Sequence, residues 1–122
     1  MLEIVQAKDF TPYYPLLKKL NIDDDIISIA EALDKGKVIG YGIYHYDKDC
    51  VLINYIESND DLYLYDGIVR SILFLAQNNG INKAIFKLED TSVVERLKFV
   101  DSGDKCINNI DKILSNCKNC NK

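Results

Sequence analysis

The stretch that decides the fold is residues 50–80, CVLINYIESNDDLYLYDGIVRSILFLAQNNG. Its first part, 50–57, is rich in β-branched and aromatic residues and predicts a strand. Its second part, 62–79, repeats apolar residues at the i, i+3, i+4 spacing of an amphipathic helix. Asp60 or Asp61 can cap the start of this helix, and Gly80 suits the left-handed position after its end. The stretch therefore predicts a strand that leads into a long helix.

Two further strands precede this stretch. Residues 26–33 are compatible with a strand or a helix, but the turn sequence at 34–37, DKGK, favours a strand, because glycine supplies a positive φ. Residues 38–46, VIGYGIYHY, predict the next strand, and a second turn at 47–49 separates it from the strand at 50–57. We expect these three strands to form an antiparallel meander.

The remaining elements are shorter. Residues 2–6 predict a first strand, and 9–12 begin a helix whose Pro is tolerated in the first turn. After the long helix, 81–88 predict a strand and 91–97 a short helix. Residues 106–116 could form a last strand or a final helix. The order β, α, three β, α, β, α predicts an α+β fold with a mixed sheet.

The composition narrows the classes of function. A chain of 122 residues suits one domain, and 48% hydrophobic residues exclude a disordered chain. The net charge of −4 argues against a nucleic-acid partner, whose recognition needs clustered Lys and Arg. No apolar run reaches the roughly 20 residues of a membrane span, and the N-terminus lacks a signal pattern. We therefore expect a cytoplasmic protein with no membrane partner.

Two short sequences resemble those of a known family. Residues 64–73, LYDGIVRSIL, followed by Asn-Gly-Ile at 79–81, resemble the Q/R-x-x-G-x-G/A loop and helix of the GNAT acyl-CoA N-acyltransferases. Residues 96–103, RLKFVDSG, are similar to the family's K-L-G-F ending. The resemblance covers about residues 2–106. It implies a GNAT-like domain over 1–105, with a largely antiparallel sheet flanked by helices, and a C-terminal segment over 106–122.

The resemblance also implies an activity, the transfer of an acyl group from acetyl-CoA to an amine on a small molecule or a protein. In the family, backbone N–H groups of the loop face the CoA pyrophosphate at a helix N-terminus. By resemblance, 56–58 would contact pantetheine, and free N–H groups at 65–70 would meet the pyrophosphate. The predicted cofactor-binding residues are Ile56, Ser58, Tyr65, Asp66, Gly67, Ile68, Val69 and Arg70.

Two titratable residues are candidates for proton transfer. Glu57 ends the strand that would line the donor cleft, where a carboxylate could deprotonate the amine. Glu57 could instead be a solvated residue at the end of the strand. We take Glu57 as the catalytic candidate. His45 is the single histidine and shares a strand face with Ile43. It could act as a base or a proton shuttle, or be a packing residue.

The cysteines form a separate candidate site. Cys117 and Cys120 are spaced as C-x-x-C, and Cys106 precedes them. Three thiolates could bind Zn²⁺, with Cys50 or water as the fourth ligand. The alternatives are a flexible thiol tail and a redox-sensitive pair.

Departures from the family motif support a second hypothesis. Leu64 stands at the Q/R position, Val69 at the second Gly/Ala position, and Val94 where the family often has a Tyr general acid. Aspartates at 60, 61 and 66 surround the expected phosphate position. The alternative is a catalytically inactive GNAT-like binding module, a homodimer formed by edge pairing, with a metal- or redox-responsive cysteine tail. An enzyme should have an open gap between 50–57 and 81–88 with free N–H groups at 65–70. A binding module should have that gap filled by Tyr or Ile side chains.

Overall fold

The computed structural model describes residues 2–23 and 25–115. Over these residues it has one six-stranded sheet in the order β1-β2-β3-β4-β5-β6. The strands are β1 (Leu2–Gln6), β2 (Ser28–Asp34), β3 (Lys37–Asp47), β4 (Cys50–Glu57), β5 (Lys83–Phe86) and β6 (Cys106–Ile107). The helices are a 3₁₀ turn (Thr11–Tyr13), α1 (Tyr14–Leu20), α2 (Leu62–Asn78), α3 (Ser92–Arg96) and α4 (Ile110–Ser115).

The sheet is mixed and largely antiparallel, as predicted. β1 to β4 form an antiparallel meander in which Glu31 lies opposite Tyr41 and Tyr41 opposite Glu57. The helix α2 then crosses over so that β5 pairs with β4 in parallel, and β6 pairs antiparallel with β5. The prediction of an α+β fold with this sheet is confirmed.

Helices pack on both faces of the sheet, because successive side chains of a strand point to opposite faces. On β3, Tyr44 belongs to the main core, which it shares with Ile68 and Ile72 of α2. The adjacent Ile43 belongs to a smaller core beneath α1, together with Leu17. We call these two sides of the sheet the α2 face and the α1 face.

Two glycines of β3 allow α2 to lie close to the sheet. A Cβ on Gly42 would be 2.8 Å from Ile68 Cγ2 and 2.9 Å from Ile72 Cδ1. A Cβ on Gly40 would be 2.7 Å from the carbonyl oxygen of Glu57. A larger residue at Gly40 would collide with the β4 backbone, and one at Gly42 would force the packed isoleucine side chains to shift.

The observed elements settle the open points of the sequence. The segment at 26–33 is a strand, and the strand expected at 81–88 is confined to Lys83–Phe86. The segment at 106–116 contains both predicted elements, β6 and then α4. Ile107 and Ile110 are buried in the main core, so 106–115 pack with the preceding domain. In the described part of the chain, no helix is both long and apolar enough to cross a membrane.

Candidate functional site

The strands β4 and β5 separate at Asn54. On β3, Ile43 lies opposite Tyr55 of β4, but the next residue, Tyr44, lies opposite Ile53. Asn54 is therefore an extra residue, a β-bulge, and bulges bend the strand that carries them. The hydrogen bonding between β4 and β5 ends here. The last bond runs from the N–H of Lys87, directly after β5, to the carbonyl of Ile53 at 2.8 Å. We call the opening beyond this point the β4–β5 gap.

The β4–β5 gap holds a cavity of about 300 Å³. Its apolar lining comes from Tyr55, Ile56, Tyr65, Leu88 and Val93, and its charged lining from Lys87, Glu89 and Asp90. Among the described residues, no backbone hydrogen bond joins β4 beyond Ile53 to the chain beyond Lys87. One edge of β4 is therefore open to this cavity, and the open gap expected of an enzyme is present.

Tyr65 provides a free hydroxyl in the β4–β5 gap. Its side chain is otherwise buried, with 8% of the residue exposed. Within the described residues its hydroxyl makes no hydrogen bond, and no fully buried polar side-chain atom lacks a partner. The hydroxyl must therefore be accessible from the cavity. Burial, and then the negative charge of Asp90, raise the pKa of Tyr65 to about 12, so it stays a protonated donor at neutral pH.

A second cavity lies on the α1 face, next to the first. Its volume is about 540 Å³, and we call it the α1-face cavity. Leu20, Asn54 and Lys87 line both cavities, so the two meet at the bulge. The α1-face cavity is also lined by Asp23, His45 and Asp47, which gives it two carboxylates and one imidazole.

His45 and Asn54 are joined by a hydrogen bond at this meeting point. His45 Nδ1 lies 2.9 Å from Asn54 Oδ1. His45 is half-buried on β3 and lies opposite Leu52, one residue before Ile53 on β4. The sequence marked His45 as a candidate base, but it gave no sign that Asn54 would be its partner.

Glu57, the catalytic candidate from the sequence, lies just outside both cavities. Its Oε1 accepts a hydrogen bond from the Tyr55 hydroxyl at 3.3 Å, and its Oε2 accepts one from the N–H of Asn59 at 2.9 Å. It lines neither cavity. Glu57 therefore reaches the β4–β5 gap only through Tyr55, and its catalytic role stays a prediction.

Tyrosines and carboxylates form a row across the α1 face. The hydroxyl of Tyr13 donates to Glu31, and the rings of Tyr13 and Tyr41 meet edge to face with centroids 4.8 Å apart. Tyr41 stacks on Tyr55 at 6.1 Å. Burial is the main cause that raises the pKa of Tyr41 and of Tyr55, and Glu57 adds to both shifts. These phenols therefore remain protonated and tie three strands together.

The start of α2 differs from the predicted phosphate loop. The helix begins at Leu62, and Asp61 caps it by accepting hydrogen bonds from the N–H groups of Tyr63 and Leu64. The N–H of Tyr65 donates to the carbonyl of Asp61, and the groups at 66–70 lie inside the helix. The expectation of free N–H groups at 65–70 is wrong, because a helix satisfies them internally.

The structure brings two of the eight predicted cofactor-binding residues, Ile56 and Tyr65, into the β4–β5 gap. Ser58 is buried, and its carbonyl accepts from the N–H of Asp61. The other five lie within α2. Asp66 forms an ion pair with Arg70 at 3.0 Å, and Arg70 also lies over the Phe99 ring. Gly67 is half-buried, and Ile68 and Val69 are buried in the main core. Contact with a cofactor stays a prediction for all eight.

The cysteine site lies largely outside the described residues. Cys117 and Cys120 are not described, whereas Cys106 is exposed on β6 and Cys50 is half-buried at the start of β4. Within 2–23 and 25–115, no group of three or more His, Cys, Asp or Glu could hold a metal ion. The zinc hypothesis for Cys106, Cys117 and Cys120 stays a prediction.

Comparison with solved structures identifies the fold. Over 81% of this chain and 88% of the other, it is similar to a ribosomal-protein-alanine N-acetyltransferase from Brucella melitensis, with a TM-score of 0.62 and 12% identity. The chain has a GNAT-like fold. It is also similar to an IAA acetyltransferase from Bacillus cereus, with a TM-score of 0.61, 14% identity, and coverage of 81% and 73%.

A third GNAT-like neighbour was solved with acetyl-CoA bound. This GNAT family acetyltransferase from Elizabethkingia anophelis has a TM-score of 0.55 and 12% identity, with coverage of 70% of this chain and 63% of the other. No protein-family model and no curated protein matches the chain in sequence. The predicted GNAT-like fold is therefore confirmed by structure, at sequence identities that show the fold alone.

Proposed function

We propose that the protein is an acyltransferase that moves an acyl group, acetyl in the simplest case, from a CoA thioester to an amine. The observation that carries the proposal is the β4–β5 gap, which opens at the Asn54 bulge and meets the α1-face cavity there. An acyl donor in the gap and an amine in the α1-face cavity would approach each other beside Asn54. Such placement of two reactants is itself a large part of catalysis.

The two parts of the CoA donor differ in how well the protein can hold them. The β4–β5 gap is suited to the pantetheine arm, whereas the start of α2 is poorly suited to the diphosphate. The arm is a chain of amides and methylenes, and the gap offers an open strand edge beside apolar side chains. At the α2 start, by contrast, the Asp61 carboxylate already holds two N–H groups. Glu89 and Asp90 line the gap against a single Lys87. In this proposal the donor is therefore recognised mainly through its arm.

The α1-face cavity suits an amine that carries positive charge. Asp23 and Asp47 line it from two different elements, and a cation near two carboxylates is attracted to both. The amine nitrogen would attack the thioester carbonyl carbon directly, and the carbon–sulfur bond would break. The cationic nitrogen loses one proton before the attack and a second proton after it. The sulfur gains one proton, and one is released to water. The free hydroxyl of Tyr65 lies in the gap and can give a proton to the leaving thiolate.

Product formation tests the proposal. The protein is incubated with acetyl-CoA and a panel of small amines and polyamines, and acetylated product is measured by chromatography with mass detection. A thiol reagent is unsuitable, because the chain itself has four cysteines. We expect turnover that is fastest with cationic amines. Tyr65→Phe should lower kcat by about 10²-fold and leave donor affinity unchanged. No product with any amine at millimolar acetyl-CoA would contradict the proposal.

A further inference from the structure

The hydrogen bond between His45 and Asn54 determines which nitrogen of the imidazole is free. An amide oxygen only accepts hydrogen bonds, so the 2.9 Å contact requires Nδ1 of His45 to carry the hydrogen. In the neutral ring the lone pair is then on Nε2. His45 makes no other hydrogen bond within the described residues, and no fully buried side-chain nitrogen lacks a partner. Nε2 is therefore exposed to solvent, on a side chain that lines the α1-face cavity.

The same asparagine forms the bulge that opens the β4–β5 gap. Asn54 lines both cavities, and its amide oxygen orients His45 on the neighbouring strand. The residue that separates β4 from β5 thus also sets the tautomer of the only histidine in the chain. This links the geometry of the donor gap to a base in the acceptor cavity.

We infer that His45 is the catalytic base that takes the proton from the acceptor amine through Nε2, and that Asn54 is its positioning residue. The inference rests on the proposed acyl transfer. An amine that arrives as the ammonium ion first gives one proton to Nε2. Its nitrogen then attacks the thioester carbon and the carbon–sulfur bond breaks. A second proton passes from nitrogen to water, while the thiolate takes a proton from Tyr65, which regains one from solvent. The imidazolium returns its proton to water.

The alternative base, Glu57, is less suitably placed. Both of its carboxylate oxygens accept hydrogen bonds, and it lines neither cavity. The charged groups that share the α1-face cavity with His45 are Asp23 after α1, Asp47 at the end of β3 and Lys87 after β5. The two carboxylates attract the incoming ammonium, and Lys87 opposes them. His45 offers the incoming ammonium a ring nitrogen, Nε2, that makes no hydrogen bond within the described residues.

NMR tests the tautomer directly, because the chain contains a single histidine. In a long-range ¹H–¹⁵N spectrum of the full-length protein above neutral pH, we expect the pattern of a ring protonated on Nδ1. Asn54→Asp keeps an acceptor and should keep this pattern. Asn54→Ala removes the acceptor and should shift His45 towards the Nε2-protonated form. An Nε2-protonated ring in the unaltered protein would overturn the inference.

Kinetics test the role in transfer. His45→Ala should lower kcat by at least about 10²-fold, and added imidazole should restore part of the rate, which a purely structural role would not allow. The control is the rise in Tm with acetyl-CoA, which should be unchanged in His45→Ala. If the unaltered protein binds donor and makes product while His45→Ala retains its kcat, the inference fails and the proposed function stands. If the unaltered protein neither binds donor nor makes product, the proposed function itself fails.

Discussion

The carboxylate of Asp61 accepts a hydrogen bond from the backbone N–H of Leu64 at 3.1 Å. The same oxygen accepts a second bond from the N–H of Tyr63 at 3.0 Å. A helix start with free N–H groups is a natural phosphate site, since its dipole and its donors both favour an anion. Here an aspartate of the chain itself occupies these donors, so a diphosphate would have to displace one negative charge with another.

The first prediction concerns the nucleotide part of the donor. Since Asp61 holds the α2 donors, acetyl-CoA and acetyl-pantetheine should bind with similar affinity, within about tenfold, a difference of about 1.4 kcal/mol. Asp61→Ser keeps a capping oxygen and removes the charge, so it should tighten acetyl-CoA binding but not acetyl-pantetheine binding. Isothermal titration calorimetry measures both. The control, Asp61→Ala, should lower the free energy of unfolding by about 1 kcal/mol through loss of the cap. Much tighter binding of acetyl-CoA by the unaltered protein would contradict this account.

The second prediction compares two glycines. Gly42→Ala should lower the free energy of unfolding by about 1–3 kcal/mol, because its Cβ would be under 3 Å from Ile68 and Ile72. Gly67→Ala in α2 is the matched control. A Cβ on Gly67 meets nothing within 4 Å, and alanine in a helix interior is more stable than glycine by about 0.5–1 kcal/mol. Urea denaturation should therefore show opposite changes, and equal changes would refute the close packing of α2.

The third prediction concerns stability at high pH. Burial is the largest cause that raises the pKa of Tyr44 and of Tyr65 to about 12, and it also raises the pKa of Tyr13, Tyr41 and Tyr55. In the unfolded chain these phenols ionise near about pH 10. As the pH rises, the unfolded state therefore loses these protons before the folded state does. The contribution of the phenols to the free energy of unfolding is fully present below about pH 10 and is lost as the pH rises towards 12.

Absorbance at 295 nm and circular dichroism, recorded together, check this alkaline transition. The phenol ionisation should be delayed and should coincide with loss of structure. In urea-denatured protein, all eight tyrosines should titrate together near about pH 10. A folded protein in which every tyrosine ionises near pH 10 without loss of structure would contradict the raised pKa values of these five tyrosines.

Much of the fold could be predicted because it depends on local patterns. The apolar spacing at 62–79 predicted a helix that is observed at Leu62–Asn78. The turn sequence at 34–37 predicted that the segments on either side of it pair as strands, and β2 and β3 do so. The sequence also predicts Asp60 or Asp61 as the cap, and a cap at either position already places 65–70 inside the helix. The expectation of free N–H groups at 65–70 came from aligning a motif on Gly67, and it conflicted with that local signal.

The site was harder to predict because it depends on the register between strands. Nothing in the sequence 50–57 marks Asn54 as an extra residue, since a bulge is defined by what lies opposite it on β3. The partnership of His45 with Asn54 follows only from that register. The role of Gly42 likewise depends on where α2 crosses the sheet. Glycine within a strand is the sequence signal that could have indicated the close approach of another element.

A gap-filling variant separates donor binding in the β4–β5 gap from binding elsewhere. Val93 lines the gap and is half-buried, so Val93→Trp should fill the cavity. The matched control, Phe74→Trp, introduces the same residue on α2 at a position that is 57% exposed. Loss of donor binding in Val93→Trp alone would place the donor in the gap.

The most direct test of the central claim is thermal unfolding of these three proteins with and without acetyl-CoA. At ligand about 100 times its Kd, linkage gives about 2.7 kcal/mol of stabilisation and a Tm increase of several degrees. We predict this increase for the unaltered protein and for Phe74→Trp, and none for Val93→Trp. No increase in the unaltered protein at millimolar acetyl-CoA, or an equal increase in Val93→Trp, would contradict the claim that the β4–β5 gap holds the acyl donor.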